Sequence, residues 1–138
     1  MSEPTEQQKQ LKIQQGIRLA EDKLVTAIQT ALDDKSSYGE LEESQFRNLL
    51  RVADTTESTE VIKNFLFYQV GRDKKWGRGK NSLAQKIINQ INNEIKIIAD
   101  KIAKDAKTDD INPIVLQLTR RYLGYGARYL VYKNKGES

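Results

Sequence analysis

The sequence has no cysteine, no histidine, only two prolines, and no apolar run approaching the length of a membrane span. Without cysteine there is no disulfide framework and no thiolate metal site. Without histidine the commonest general acid–base group and the commonest catalytic metal ligand are missing, so an enzyme would have to work with carboxylate, Lys or Tyr chemistry. A transmembrane helix needs about 20 consecutive apolar residues, and no segment supplies them. The first ten residues are polar and contain acid, unlike the basic start and apolar core of a signal peptide. The expected location is therefore the cytoplasm, and the composition of residues 1–10 leaves open whether they are ordered. Strand patterns are also missing, because no segment alternates apolar and polar residues for more than a few positions.

A chain of 138 residues fits one domain and is long enough to bury about two-thirds of its unfolded surface in a single core. The net charge of +4 is unevenly placed. Residues 1–60 hold 7 Lys/Arg against 12 Asp/Glu, whereas residues 61–138 hold 16 against 7. A basic second half points to a polyanionic partner; the alternative is that its cations only solvate helix faces.

Apolar spacing and turn residues divide the chain into five helical segments and predict an all-α bundle spanning 1–138. The first, about Glu6 to Leu32, carries Ile13, Ile17, Ala20, Leu24, Ile28 and Ala31 three or four apart, a narrow stripe along one side. Ser37 and Glu40 have capping-box spacing for the second, which carries Leu41, Phe46, Leu49, Leu50 and Ala53. The third, about Thr59 to Val70, is expected to bury Val61, Ile62, Phe65 and Leu66, with Gly71 following as its C-terminal cap. Asn81 or Ser82 opens the fourth, whose Ala84, Ile88, Ile91, Ile95, Ile98 and Ile102 are the strongest periodic signal in the chain; it is expected to be the most buried element. Pro113, a favoured first helical residue, opens the fifth, with Ile114, Leu118, Tyr122, Tyr125, Tyr129 and Tyr132 on one stripe.

Three groups of residues are candidates for binding. Between the third and fourth helices, Arg72, Lys74, Lys75, Arg78 and Lys80 sit among three glycines with Trp76. The GRGK fragment lacks the GxxxxGK[ST] pattern and the preceding strand of a phosphate loop. Such a loop better suits a nucleic-acid strand: glycines admit phosphates, cations neutralise them, and an indole can stack on a base. Trp76 could equally pack back onto the core and anchor the loop. In the last helix, Arg120, Arg121 and Arg128 lie off the tyrosine stripe and are the better ligands, with Lys133 beyond, while the tyrosines read as a core face with hydroxyls at the rim. Gly124 and Gly126 in the same helix would permit close approach by another helix or a phosphate. Arg47 and Arg51, four apart on the second helix, are explained either by Glu43 one turn earlier or by a bound anion. The pairs Asp33/Asp34, Glu42/Glu43 and Asp109/Asp110 read as helix-dipole or turn carboxylates, with no catalytic dyad, metal site or cofactor site expected.

Three stretches together resemble the small helical subunit of type III CRISPR RNA-guided effector complexes. They are LEESQFRNLLRVA (41–53), FLFYQVGR (65–72) and the closing aromatic-basic run ARYLVYKNK (127–135). They cover under a quarter of the chain, and Lys133 stands where that family tends to have a histidine near the terminal tyrosine. The resemblance implies a non-catalytic ribonucleoprotein subunit with a role in antiviral defence. It further implies several copies stacked along the guide RNA beside other effector subunits. Its arginines and lysines would then contact guide, target RNA or displaced single-stranded DNA without reading sequence. Two other classes remain: a helical adaptor that binds another protein through its amphipathic faces, and a metal-dependent nuclease built on carboxylates.

Overall fold

The computed structural model describes residues 3–136, which are helical for most of their length and contain no strand. α1 (Glu6–Asp33) opens on a capping box: the Gln8 amide donates to the Thr5 hydroxyl at 3.1 Å, and the Thr5 amide to the Gln8 side chain at 2.9 Å. Its buried residues are the predicted stripe plus Leu32. α2 (Glu43–Thr55), α3 (Thr59–Arg72), α4 (Leu83–Gln90), α5 (Lys96–Ala106) and α6 (Asn112–Val131) follow. A π-helical turn, Ile91–Ile95, joins α4 to α5 without a break, so residues 83–106 form one rod and the described residues make five. A second π-helical turn, Tyr132–Gly136, continues α6.

Several boundaries depart from expectation. Ser37 does not cap α2. It is buried in a short 3-10 turn, where its hydroxyl donates to the Asp34 carbonyl at 2.7 Å. The capping box of α2 lies later, between Glu42 and Gln45. Gly71 does not end α3 either, since the helix runs through it to Arg72 and Asp73 caps it. Within α3, Ile62 and Leu66 are buried, Phe65 is half-buried and Val61 is exposed. α5 ends in a Schellman-type cap made by a lysine: Lys107 has φ 59° and ψ 49°, and the Thr108 amide donates to the Ala103 carbonyl at 3.0 Å.

The most buried element is α6 rather than the isoleucine-rich rod. It packs against α1, α2, α3, α5 and the π turn. The reason is visible in Ile114, Val115 and Leu116, three successive positions that are all buried, so α6 is apolar on several sides whereas α4–α5 has one stripe. Gly126 lets α6 approach closely, because a Cβ there would lie 2.7 Å from both Ile28 Cγ1 and Phe46 Cζ.

Candidate nucleic-acid interface

The basic loop between α3 and α4 is a folded clasp. The Asp73 carboxylate accepts the Lys75 amide at 2.8 Å, an Asx turn that starts it. The Trp76 ring is fully buried, 5.5 Å from the Phe46 ring of α2. Gly77 has φ 81°, and a Cβ there would sit 2.0 Å from the Ser37 carbonyl oxygen, so no other residue fits. The Gly39 amide donates to the Lys75 carbonyl at 3.0 Å and the Ala84 amide to the Trp76 carbonyl at 3.1 Å. Ser82 closes the loop, its hydroxyl donating to the Gly79 carbonyl and accepting the Gln85 amide to cap α4. Burial removes Trp76 from the binding candidates: its indole seats the loop and presents no face to a base. The glycine expected to admit a phosphate instead admits the chain's own backbone.

This seat leaves Arg72, Lys74, Arg78 and Lys80 exposed, with no carboxylate partner among the described residues. Lys75 differs. Its ammonium meets Glu42 at 2.9 Å, which raises its pKa, and it fastens the clasp to the start of α2. Arg47 and Arg51 are exposed on α2, and Arg51 touches the Asn48 side chain at 3.3 Å. Glu43 does not neutralise Arg47. It pairs with Lys135 at 2.9 Å and accepts from Asn134, which together hold its carboxyl below the usual range. Phe46 points inward to Trp76 and the next residue, Arg47, outward, so the α2 pair begins directly beside the loop's seat.

The α6 cations divide. Arg120 is turned onto the C-terminal end of α2, donating to the Ala53 carbonyl at 2.8 Å and the Thr56 carbonyl at 3.0 Å. It caps that helix, because the last carbonyls of α2 need donors and carry the negative end of its dipole. Arg121 pairs with Glu21 of α1 at 2.5 Å. Lys133 meets Asp33 at 3.2 Å, and its ammonium also lies over the Tyr129 ring, 5.9 Å from the centroid. Arg128 alone of these is exposed with no carboxylate partner among the described residues. The tyrosine stripe is graded: Tyr122 is fully buried, Tyr125 and Tyr129 are half-buried, and Tyr132 is half exposed. Tyr129 donates to Asp33 at 2.7 Å, so its hydroxyl does reach the rim, whereas the buried Tyr122 hydroxyl has no partner among the described residues and burial raises its pKa.

Sequence patterning missed two features of this surface. Asn134 ties the C-terminal turn to the entry of α2 through the Leu41 carbonyl at 3.1 Å, and nothing in its spacing marked it. Phe67, Tyr68 and Ile97 are more than half exposed, although their residue types resemble core. No group of acidic side chains among the described residues could hold a metal ion, and no described helix is long and apolar enough to cross a membrane. The candidate cations left exposed are Arg72, Lys74, Arg78 and Lys80 around the loop, Arg47 and Arg51 on α2, and Arg128 on α6. No protein-family model, curated protein or solved structure matches the chain.

Proposed function

We propose that this chain is a non-catalytic structural subunit that lies along a nucleic-acid backbone without reading its sequence. The single observation that carries the reading is the group of exposed cations gathered around the buried Trp76. Lys75, Lys86, Lys133 and Lys135 are each spent on a carboxylate of the acidic first half. Arg72 at the end of α3 and Lys74, Arg78 and Lys80 on the loop anchored by Trp76 are held out to solvent, as are Arg47 and Arg51 on α2. Cations fixed in place and left without internal partners suit a repeating phosphate.

The resemblance of residues 41–53, 65–72 and 127–135 extends this to a role. On that reading the chain is the small subunit of a type III CRISPR RNA-guided effector ribonucleoprotein in the cytoplasm. It contacts guide or target RNA, or displaced single-stranded DNA, beside other subunits and copies of itself. A second reading, a helical adaptor for another protein, draws on the exposed Leu19, Phe67, Tyr68 and Ile97.

The test is fluorescence anisotropy with unrelated RNA oligomers from low to moderate salt. Removing one cation that neutralises a phosphate lowers the salt slope by about 0.7 on a single strand. Replacing Lys74, Arg78 and Lys80 together by Ala should flatten it by about 2 and leave the fold intact. Lys75 is kept, because its removal would disturb the clasp. An unchanged slope in that variant, or binding confined to one sequence, would overturn the reading. Salt-insensitive capture of a protein without RNA would favour the adaptor.

A further inference from the structure

α6 carries two glycines in its interior, and only one has a reason inside the fold. Gly126 is required by the contact with Ile28 and Phe46. Gly124 is not, because a Cβ there would meet nothing within 4 Å. Glycine weakens a helix interior relative to alanine, so Gly124 lowers the stability of α6 without relieving any crowding. The backbone it bares lies in a shallow depression of about 280 Å³ formed with Arg121, Tyr125 and Arg128. Tyr125 and Arg128 also line an adjoining depression of about 250 Å³ between α1 and α6, with Val25, Gln29, Tyr129 and Tyr132. Neither is lined by an acidic residue. Two carboxylates lie nearby and both are engaged: Glu21 pairs with Arg121, and Asp33 accepts from Tyr129 and meets Lys133.

We infer that this bared stretch of α6 is a nucleotide subsite for single-stranded RNA. Arg128 meets a phosphate, the half-buried Tyr125 ring offers its face to a base, and the strand passes over Gly124 where any side chain would block it. Charge selects this occupant. A guanidinium with no carboxylate partner beside an aromatic ring, in a depression free of acid, matches a phosphate and a base together. The inference rests on the nucleic-acid reading above and adds a second binding surface, on α6 and apart from the 72–80 loop.

The test compares Gly124→Ala, Gly124→Leu, Tyr125→Leu, Tyr125→Phe and Arg128→Ala in the full chain. Thermal unfolding and anisotropy with a labelled oligouridine are read side by side. Gly124→Ala should melt no lower than the parent protein and still bind more weakly, a combination that a purely structural glycine would not give. Gly124→Leu and Tyr125→Leu should lose about tenfold in affinity, the scale of one stacked base, and Tyr125→Phe should retain it. Arg128→Ala should reduce the salt slope by about 0.7. If Gly124→Leu does not fold, Gly124→Ala and Arg128→Ala decide. Unchanged affinity in the glycine and Arg128 variants, with binding abolished in the Lys74/Arg78/Lys80 variant, would remove this subsite and leave the loop interface standing. A parent protein with no salt-dependent RNA binding would overturn both.

Discussion

Replacing Arg120 by Met should destabilise the fold by about 2–3 kcal/mol, although the residue lies in a basic helix and looks like a ligand. Its guanidinium makes two hydrogen bonds to carbonyls at the end of α2, at 2.8 and 3.0 Å. A hydrogen bond from a charged donor contributes about 1.5–3 kcal/mol net. A cation at a helix C-terminus adds about 0.3–1 kcal/mol. Two fully buried bonds would contribute about 3–6 kcal/mol; the side chain is half-buried, so solvent replaces part of what is lost and about half of that range applies. Met preserves the aliphatic stem and its packing, so the substitution isolates the guanidinium. For a chain of this size each kcal/mol corresponds to about 3–4 °C in melting temperature, giving an expected drop of about 6–12 °C.

Thermal and urea unfolding followed by circular dichroism measure this, with Arg128→Met as the control. Arg128 caps nothing, and its replacement should stay within about 0.5 kcal/mol. Arg120→Lys should recover only part of the stability, since an ammonium cannot span both carbonyls in the planar fork of a guanidinium. A melting temperature for Arg120→Met within about 2 °C of the parent, together with a flattened RNA salt slope, would refute the capping role and return Arg120 to the ligand surface.

Other substitutions test the core directly. Ile91→Ala and Ile95→Ala, both nearly inaccessible, should each cost about 2–5 kcal/mol in urea unfolding, and a cost below about 0.5 kcal/mol at both would mean that this face is not core. Tyr122→Phe should leave stability unchanged or raise it by about 1 kcal/mol, because it removes a buried hydroxyl that has no partner among the described residues. Gly126→Ala should cost about 1–3 kcal/mol through its contacts with Ile28 and Phe46, measured by the same melts. Lys107→Gly should gain about 0.5–1 kcal/mol by relieving a left-handed backbone.

What the sequence made legible follows the physics of each position. The stripe of α1 and the isoleucines of residues 83–106 could be read because one-sided burial writes its own period. α6 was under-read for the opposite reason: a helix covered on several sides loses that period, and its centrality follows from packing partners that no local window contains. Ser37 with Glu40 has capping spacing, yet Gly77 brings its backbone against Ser37 and commits that segment to a turn. In the basic segments, an off-stripe position told only that a side chain avoids its own helix's core face. Arg120 then turns to the end of α2, Arg121 to Glu21, and Arg128 to solvent. Those differences are set by neighbours more than 60 residues away in the chain. The spacing of Arg47 and Arg51 fits either Glu43 or an anion, and it is Lys135, more than 90 residues on, that takes Glu43.

The indole beneath the basic loop also makes the protein its own spectroscopic reporter. The chain has a single tryptophan, shut away from solvent against Phe46, so its native emission should be that of a dry environment. Ligand arriving on the outward cations would leave that emission in place. Only an opening of the clasp, with Trp76 drawn off Phe46, would shift it to the red. One fluorescence trace can therefore separate occupancy of the loop from its undocking, with no label attached.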